Sequence, residues 1–296
     1  MGIYVLLHDG LGNQLFQYTM GRLIAEKYNV KLILNFFKCK NDSTIKFDKL
    51  GLTFDSKINN SNEFHHIDTN NFNKLINEKL NISHLDFQIY SHIEDYLLYK
   101  PHIKQIKSWF TPIKKENFED LVIHWRAGND IIHMNALSNQ PTEEEFENIF
   151  TKIKFRNLFI VSDCKKHNTW EMKDVLDLIE IQRNRSIKEK HPKEQLESLK
   201  LLYNPEKTLE FINKRLPFFQ KYNPIWINNE DSIQDFNIIR KFDKILITAS
   251  TFGWWAAFLS DASEIYSYAP WKPSKISSNK NLGKADYPNW NQWGNI

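Results

Sequence analysis

The chain has 296 residues, 41% hydrophobic and 14% aromatic, and carries a net charge of +3 with lysines interleaved among acidic residues. That is ample apolar material for two lobes or one large domain, and it excludes a disordered or fibrous composition. It also argues against nucleic-acid binding through a broad basic face, because counterion release needs clustered cations.

The opening MGIYVLLH is too short for a signal peptide and lacks a basic flank, and Leu6 stands where a myristoylation signal has Ser or Thr. No run of about 18 apolar residues is present, so no membrane span is expected. Cys39 and Cys164 lie far apart without metal-ligand spacing and read as free thiols. The expectation is a soluble cytoplasmic protein.

Ile3–Leu7 reads as a buried parallel strand, followed by a helix with Leu15, Phe16, Met20, Leu23 and Ile24 at helical spacing and Asn13 placed to cap it. Val30–Leu34 is the next strand, so the chain opens β-loop-α-β. Residues 36–118, rich in Asn, Asp, Lys and scattered aromatics, read only as irregular α/β, with helical patches near 70–80 and 95–109. From residue 119 the alternation returns with a strand at Leu121–Trp125 and a helix whose start carries a Thr142–Glu145 capping box. Leu158–Val161 is a strand, Thr169–Ile179 a helix, and Leu178–Gln182 reads as a strand that overlaps that helix. Residues 183–230 are lysine-rich and mostly helical in pattern. Ser232–Phe242 is helical, Lys244–Ala249 a strand, Phe252–Ser260 a helix and Glu264–Ala269 a strand. Two α/β lobes, 1–115 and 116–296, fit this pattern better than one sheet.

Four clusters could carry chemistry. In Gly10-Leu11-Gly12-Asn13-Gln14, glycines between a strand and a helix let backbone approach a ligand closely and tolerate φ > 0, while helix-start amides suit an anion. A dinucleotide fingerprint is disfavoured, since the third glycine is missing and Asn35 ends the second strand where an acidic residue belongs. A purely structural turn stays open. The second cluster, His124–Asp130, follows a strand; Arg126 offers a planar fork for phosphate oxygens, Gly128 a tight turn, and His124 a further donor. A surface arginine in a salt bridge is the alternative. Ser162 and Asp163, just past another strand, suit either a nucleoside contact or a helix N-cap. In the fourth, Ser250, Thr251 and Phe252 open an apolar helix as a second phosphate cradle, and Trp254 and Trp255 read as core.

In this order the clusters resemble the α-1,2-fucosyltransferases, glycosyltransferase family 11, and more distantly the α-1,6- and protein O-fucosyltransferases. The likeness rests on GLGNQLFQYTMGRLIA, VIHWRAGND, FIVSD and ASTFGWWAAFLS, about a seventh of the chain. It implies a GT-B architecture of two Rossmann-like lobes with a cleft between them. It also implies GDP-fucose as donor, a glycan hydroxyl as acceptor, inversion at the anomeric carbon and no required metal or cofactor. Arg126 would clamp the β-phosphate, which needs fixed donors where no cation neutralises it. Gly10, Gly12 and Asn13 would face the diphosphate and sugar. Ser250, Thr251 and Phe252 would close the cradle, Asp163 would meet guanine or ribose, and His124 would support the arginine or the phosphate. The family's second arginine is Ala127 here, and its aspartate is Asn129 followed by Asp130. Asp130 is the candidate base, with base-free departure of GDP as the alternative. His65, His66 and nearby aromatics are acceptor candidates without a pattern. A different nucleotide-sugar donor, or a non-catalytic relative that binds nucleotide or glycan, remains an alternative.

Overall fold

In the computed structural model, which describes residues 2–39, 43–58, 65–67, 69–78, 87–89, 96–127, 140–164, 168–177, 180, 205–227, 229, 231–268 and 290–293, the apolar runs become parallel strands. The chain divides into two compact units, one running to Pro112 and the other starting at Ile113.

The first unit contains β1 (Gly2–Leu6), α1 (Leu11–Tyr28), β2 (Lys31–Asn35), α2 (Ser43–Lys49), β3 (Ser56–Ile58), β4 (His65–Ile67), α3 (Thr69–Asn77), β5 (Phe87–Ile89), α4 (Tyr96–Tyr99), a 3-10 turn at Lys100–His102 and α5 (Ile103–Ser108). Its five strands are all parallel, in the order β3-β2-β1-β5-β4. The region read as irregular thus supplies three strands of only three residues each, too short for periodicity to show. α1 is buried along most of its length because it lies on this sheet. Gly21 makes the contact close: a Cβ there would stand 2.2 Å from Val5 Cγ2 and 3.2 Å from Leu32 Cδ1. Val5 is stiff at χ1 and fully buried, so it cannot swing away. Overpacking of this kind costs about 1–3 kcal/mol, against about 1 kcal/mol of helix propensity gained by alanine. Gly21→Ala is therefore expected to lose about 1–2 kcal/mol in urea unfolding. A variant as stable as the parent would show that α1 can lift off β1.

The second unit contains β6 (Asn117–Trp125), α6 (Glu143–Phe150), β7 (Leu158–Ser162), α7 (Pro205–Gln220), β8 (Ile225–Ile227), α8 (Ser232–Ile239), β9 (Phe242–Ile247), α9 (Thr251–Leu259), β10 (Glu264–Tyr268) and β11 (Asn291–Trp293). The expected capping box opens α6: Thr142 Oγ1 accepts from Glu145 N at 3.2 Å, and Glu145 Oε2 accepts from Thr142 N at 2.8 Å. The six strands are all parallel in the order β8-β7-β6-β9-β10-β11, which is the 3-2-1-4-5-6 order of a doubly wound Rossmann sheet. The last six residues of β6 are all buried, as they must be in a strand covered on both faces. Leu121, Ile123 and Trp125 point into a core shared with α6 and α7. The alternate residue His124 points the other way, toward α9, where it meets Phe252. Trp254 and Trp255 are core, as their neighbours suggest, at 2% and 0% exposure. The strand expected at Leu178–Gln182 lies outside the described residues, apart from helical Glu180. Among the described residues no helix is long and apolar enough to cross a membrane. Neither Cys39 nor Cys164 is in a disulfide.

Candidate functional site at the switch point of the second sheet

Strand order reverses between β6 and β9, and in open α/β sheets ligands bind beyond the C-terminal ends of the strands at such a point. Register places three distant segments level there. His124 pairs with Val161 on one side and Ile247 on the other, and Trp125 pairs with Ser162. Arg126, Asp163 and Thr248 are consequently the first residues past three adjacent strands.

Hydrogen bonds lock these ends together. Thr248 Oγ1 donates to the His124 carbonyl at 3.0 Å, and Arg126 N donates to Thr248 Oγ1 at 3.4 Å. Ala127 N donates to Asp163 Oδ1 at 2.7 Å, and Cys164 N to Ser162 Oγ at 3.0 Å. Asp163 thus fixes the backbone that leaves Arg126. Thr248 is a site residue not singled out by the sequence motifs; the signal available was a hydroxyl residue closing the apolar run Ile245–Ile247.

Ser250 caps α9, its Oγ accepting from Gly253 N at 3.4 Å. The Phe252 N–H is one of the first-turn donors that a helix cannot satisfy by itself. Gly253 is needed for close approach: a Cβ there would lie 2.8 Å from His124 Nδ1 and 3.1 Å from Cγ. The imidazole occupies that space, 7% exposed, with its ring centroid 5.2 Å from that of Phe252. Among the described residues, Nδ1 is buried without a hydrogen-bond partner. Burial, and after it the Arg126 charge, pushes the His124 pKa down to about 3, so the ring is neutral near pH 7. The amide ends of α9 carry partial positive charge, which favours a lone pair on Nδ1 over an N–H. We assign the proton to Nε2, on the far side of the ring from Gly253.

Arg126, the neutral imidazole of His124 and the first turn of α9 thus lie at the C-terminal ends of β6 and β9. Among the described residues no three His, Cys, Asp or Glu side chains gather as metal ligands.

Other expected site residues fall elsewhere. Gly10, Gly12 and Asn13 belong to the first unit, at the C-terminal end of β1. Two expectations are corrected there. Gly10, not Asn13, is the N-cap of α1, with no side-chain cap bond, and Asn13 sits inside the first turn. Nor does Gly10 use its left-handed freedom: its φ is −76°, and the positive φ of 63° belongs to Asp9. Gln14 Nε2 donates to the Asp9 carbonyl at 2.8 Å, and His8 N to Gln17 Oε1 at 3.0 Å, so these buried glutamines hold the loop's shape. Gly128, Asn129 and Asp130 lie outside the described residues. His65 and His66 form part of β4.

The second unit is thus an all-parallel Rossmann-like α/β sheet whose switch point brings together Arg126, His124 and the start of α9. No protein-family model and no curated protein matches the chain. Among solved structures it is similar to NodZ alpha-1,6-fucosyltransferase, from a crystal soaked with GDP-fucose, at 8% identity and a TM-score of 0.40, over 88% of this chain and 92% of that one.

Proposed function

We propose that this protein is an inverting, metal-independent fucosyltransferase of the family 11 type. It moves L-fucose from GDP-β-L-fucose to a glycan hydroxyl, forming an α-1,2 link to galactose. The supporting observation is that three motif segments, read separately in the sequence, meet in register at the switch point of one parallel sheet. Arg126 takes the β-phosphate oxygens through its fork, while the Thr251–Phe252 helix start and the His124 Nε2–H give further fixed donors. As the acceptor oxygen bonds to the anomeric carbon from the face opposite GDP, the C–O bond to the β-phosphate breaks and its electron pair leaves with GDP. Arg126 meets the charge that then accumulates. The acceptor proton passes to Asp130, or to water when GDP departs first. Asp163 adds a nucleoside contact beside its bond to Ala127 N.

Calorimetric titration with GDP, UDP and ADP, with and without EDTA, tests the reading. GDP is expected to bind most tightly and to be indifferent to EDTA, with fucose transferred to β-galactosides. Preference for UDP, or loss of binding with EDTA, would overturn it.

A further inference from the structure

The first unit holds a cavity of about 310 Å³ lined by Arg22, Ala25, Glu26, Asn29, Val30, Leu32, Thr53, Phe54 and Asp55. Its floor is formed by the last turns of α1 and the beginning of β2, whereas the Gly10 loop precedes the first turn of α1. At 1.5 Å per residue, Arg22 lies roughly 18 Å along the helix from Gly10. This cavity is a separate place from the β1 loop.

Its polar groups are built. The Arg22 guanidinium lies over the Trp109 ring at 4.5 Å, gives Nε to Glu26 Oε1 at 2.7 Å and Nη1 to Tyr18 Oη at 2.5 Å. Tyr18 Oη is itself anchored on the Thr53 carbonyl at 2.9 Å. Held on these sides, Arg22 keeps Nη2 without a hydrogen-bond partner among the described residues. Asp55 spends Oδ2 on Leu32 N at 2.7 Å, and its Oδ1 has no partner among the described residues. Half-buried Phe54 adds an apolar ring to the wall.

We propose that this cavity binds one unit of a neutral saccharide. The charges decide the class. A free anion would meet Asp55 and Glu26, and Arg22 is already neutralised by Glu26. A bare cation has no acceptor to offer Arg22 Nη2. A hydroxylated neutral ligand serves both groups: one hydroxyl accepts from Arg22 Nη2, another donates to Asp55 Oδ1, and a C–H face lies on Phe54. The volume is at the small end of the roughly 300–1,000 Å³ usual for ligand sites, which suits one sugar ring. None of this depends on the donor reading of the second unit.

Saturation-transfer NMR and calorimetry with methyl β-galactoside, glucose and lactose give the test, using the full chain. Saturable binding is expected, weakened at least about ten-fold in Arg22→Met, with GDP affinity unchanged. Asp55→Asn keeps an acceptor for Leu32 N and is expected to weaken binding about three-fold, which serves should Arg22→Met fail to fold. No saturable signal with any of the three sugars would overturn the assignment. So would displacement of the sugar by glycine or inorganic phosphate, or wild-type affinity in both variants.

Discussion

Arg126→Ala is expected to lower the proposed fucosyl transfer by about 10²-fold or more, the scale of removing one preorganised charge-stabilising donor, or about 2.7 kcal/mol of barrier. The backbone of Arg126 is held independently of its side chain, through Thr248 and through the neighbouring Ala127–Asp163 bond. Truncation therefore removes the guanidinium without releasing the strand end. Arg126→Lys is expected to fall between parent and alanine, because a point charge on a flexible stem cannot reproduce the fork. GDP affinity should drop alongside turnover, since the product diphosphate carries the same charge. An alanine variant with most of its activity would mean that another cation meets the leaving group.

The side chain next to Arg126, that of Ala127, cannot supply such a cation. At 1% exposure its methyl group sits in the α6–α7 core with Trp125 and Phe146, the opposite side of the chain from His124. Ala127→Arg would force a charge toward that core, where it is costly without a partner.

How much of this was legible in the sequence depended on where the information was stored. β6 and β9 were readable because a strand buried on both faces carries a continuous apolar run, and α6 because Thr142 and Glu145 satisfy each other's backbone locally. β3, β4 and β5 were not: a three-residue strand exists because a neighbouring strand accepts its hydrogen bonds, and that neighbour is tens of residues away. The same division runs through the site. Arg126 and Ser250 were found as residue types after strands. The Thr248 staple, and the contact that leaves Gly253 no room for a Cβ, needed β6 and β9 side by side. In the Gly10 segment the sequence pointed to glycine conformational freedom, yet the left-handed turn falls on Asp9 and is secured by Gln14. Side chains of the following helix set that loop.

His124 carries the second large effect, and it is one of stability. Its pKa is about 3 in the fold and 6.5 as the ordinary value, the depression coming from burial first and the Arg126 charge second. Below pH 6.5 the unfolded chain takes up a proton that the folded chain refuses. The stabilisation is therefore fully present above 6.5 and is lost as pH falls toward 3, at about 1.4 kcal/mol per unit. Between pH 7 and pH 5 the parent should lose about 2 kcal/mol more than His124→Phe, whose ring fills a similar space and does not titrate. Urea unfolding at both pH values reads the difference directly. Equal losses in parent and variant would mean that the imidazole is charged in the fold, and the neutral Nε2–H donor would go with it. The phenylalanine variant has a second use at pH 7, where it keeps a ring against Phe252 and Gly253 but has no proton to give. Weaker GDP binding in a variant of undiminished stability would then separate the hydrogen bond to the ligand from the packing that holds α9 against β6.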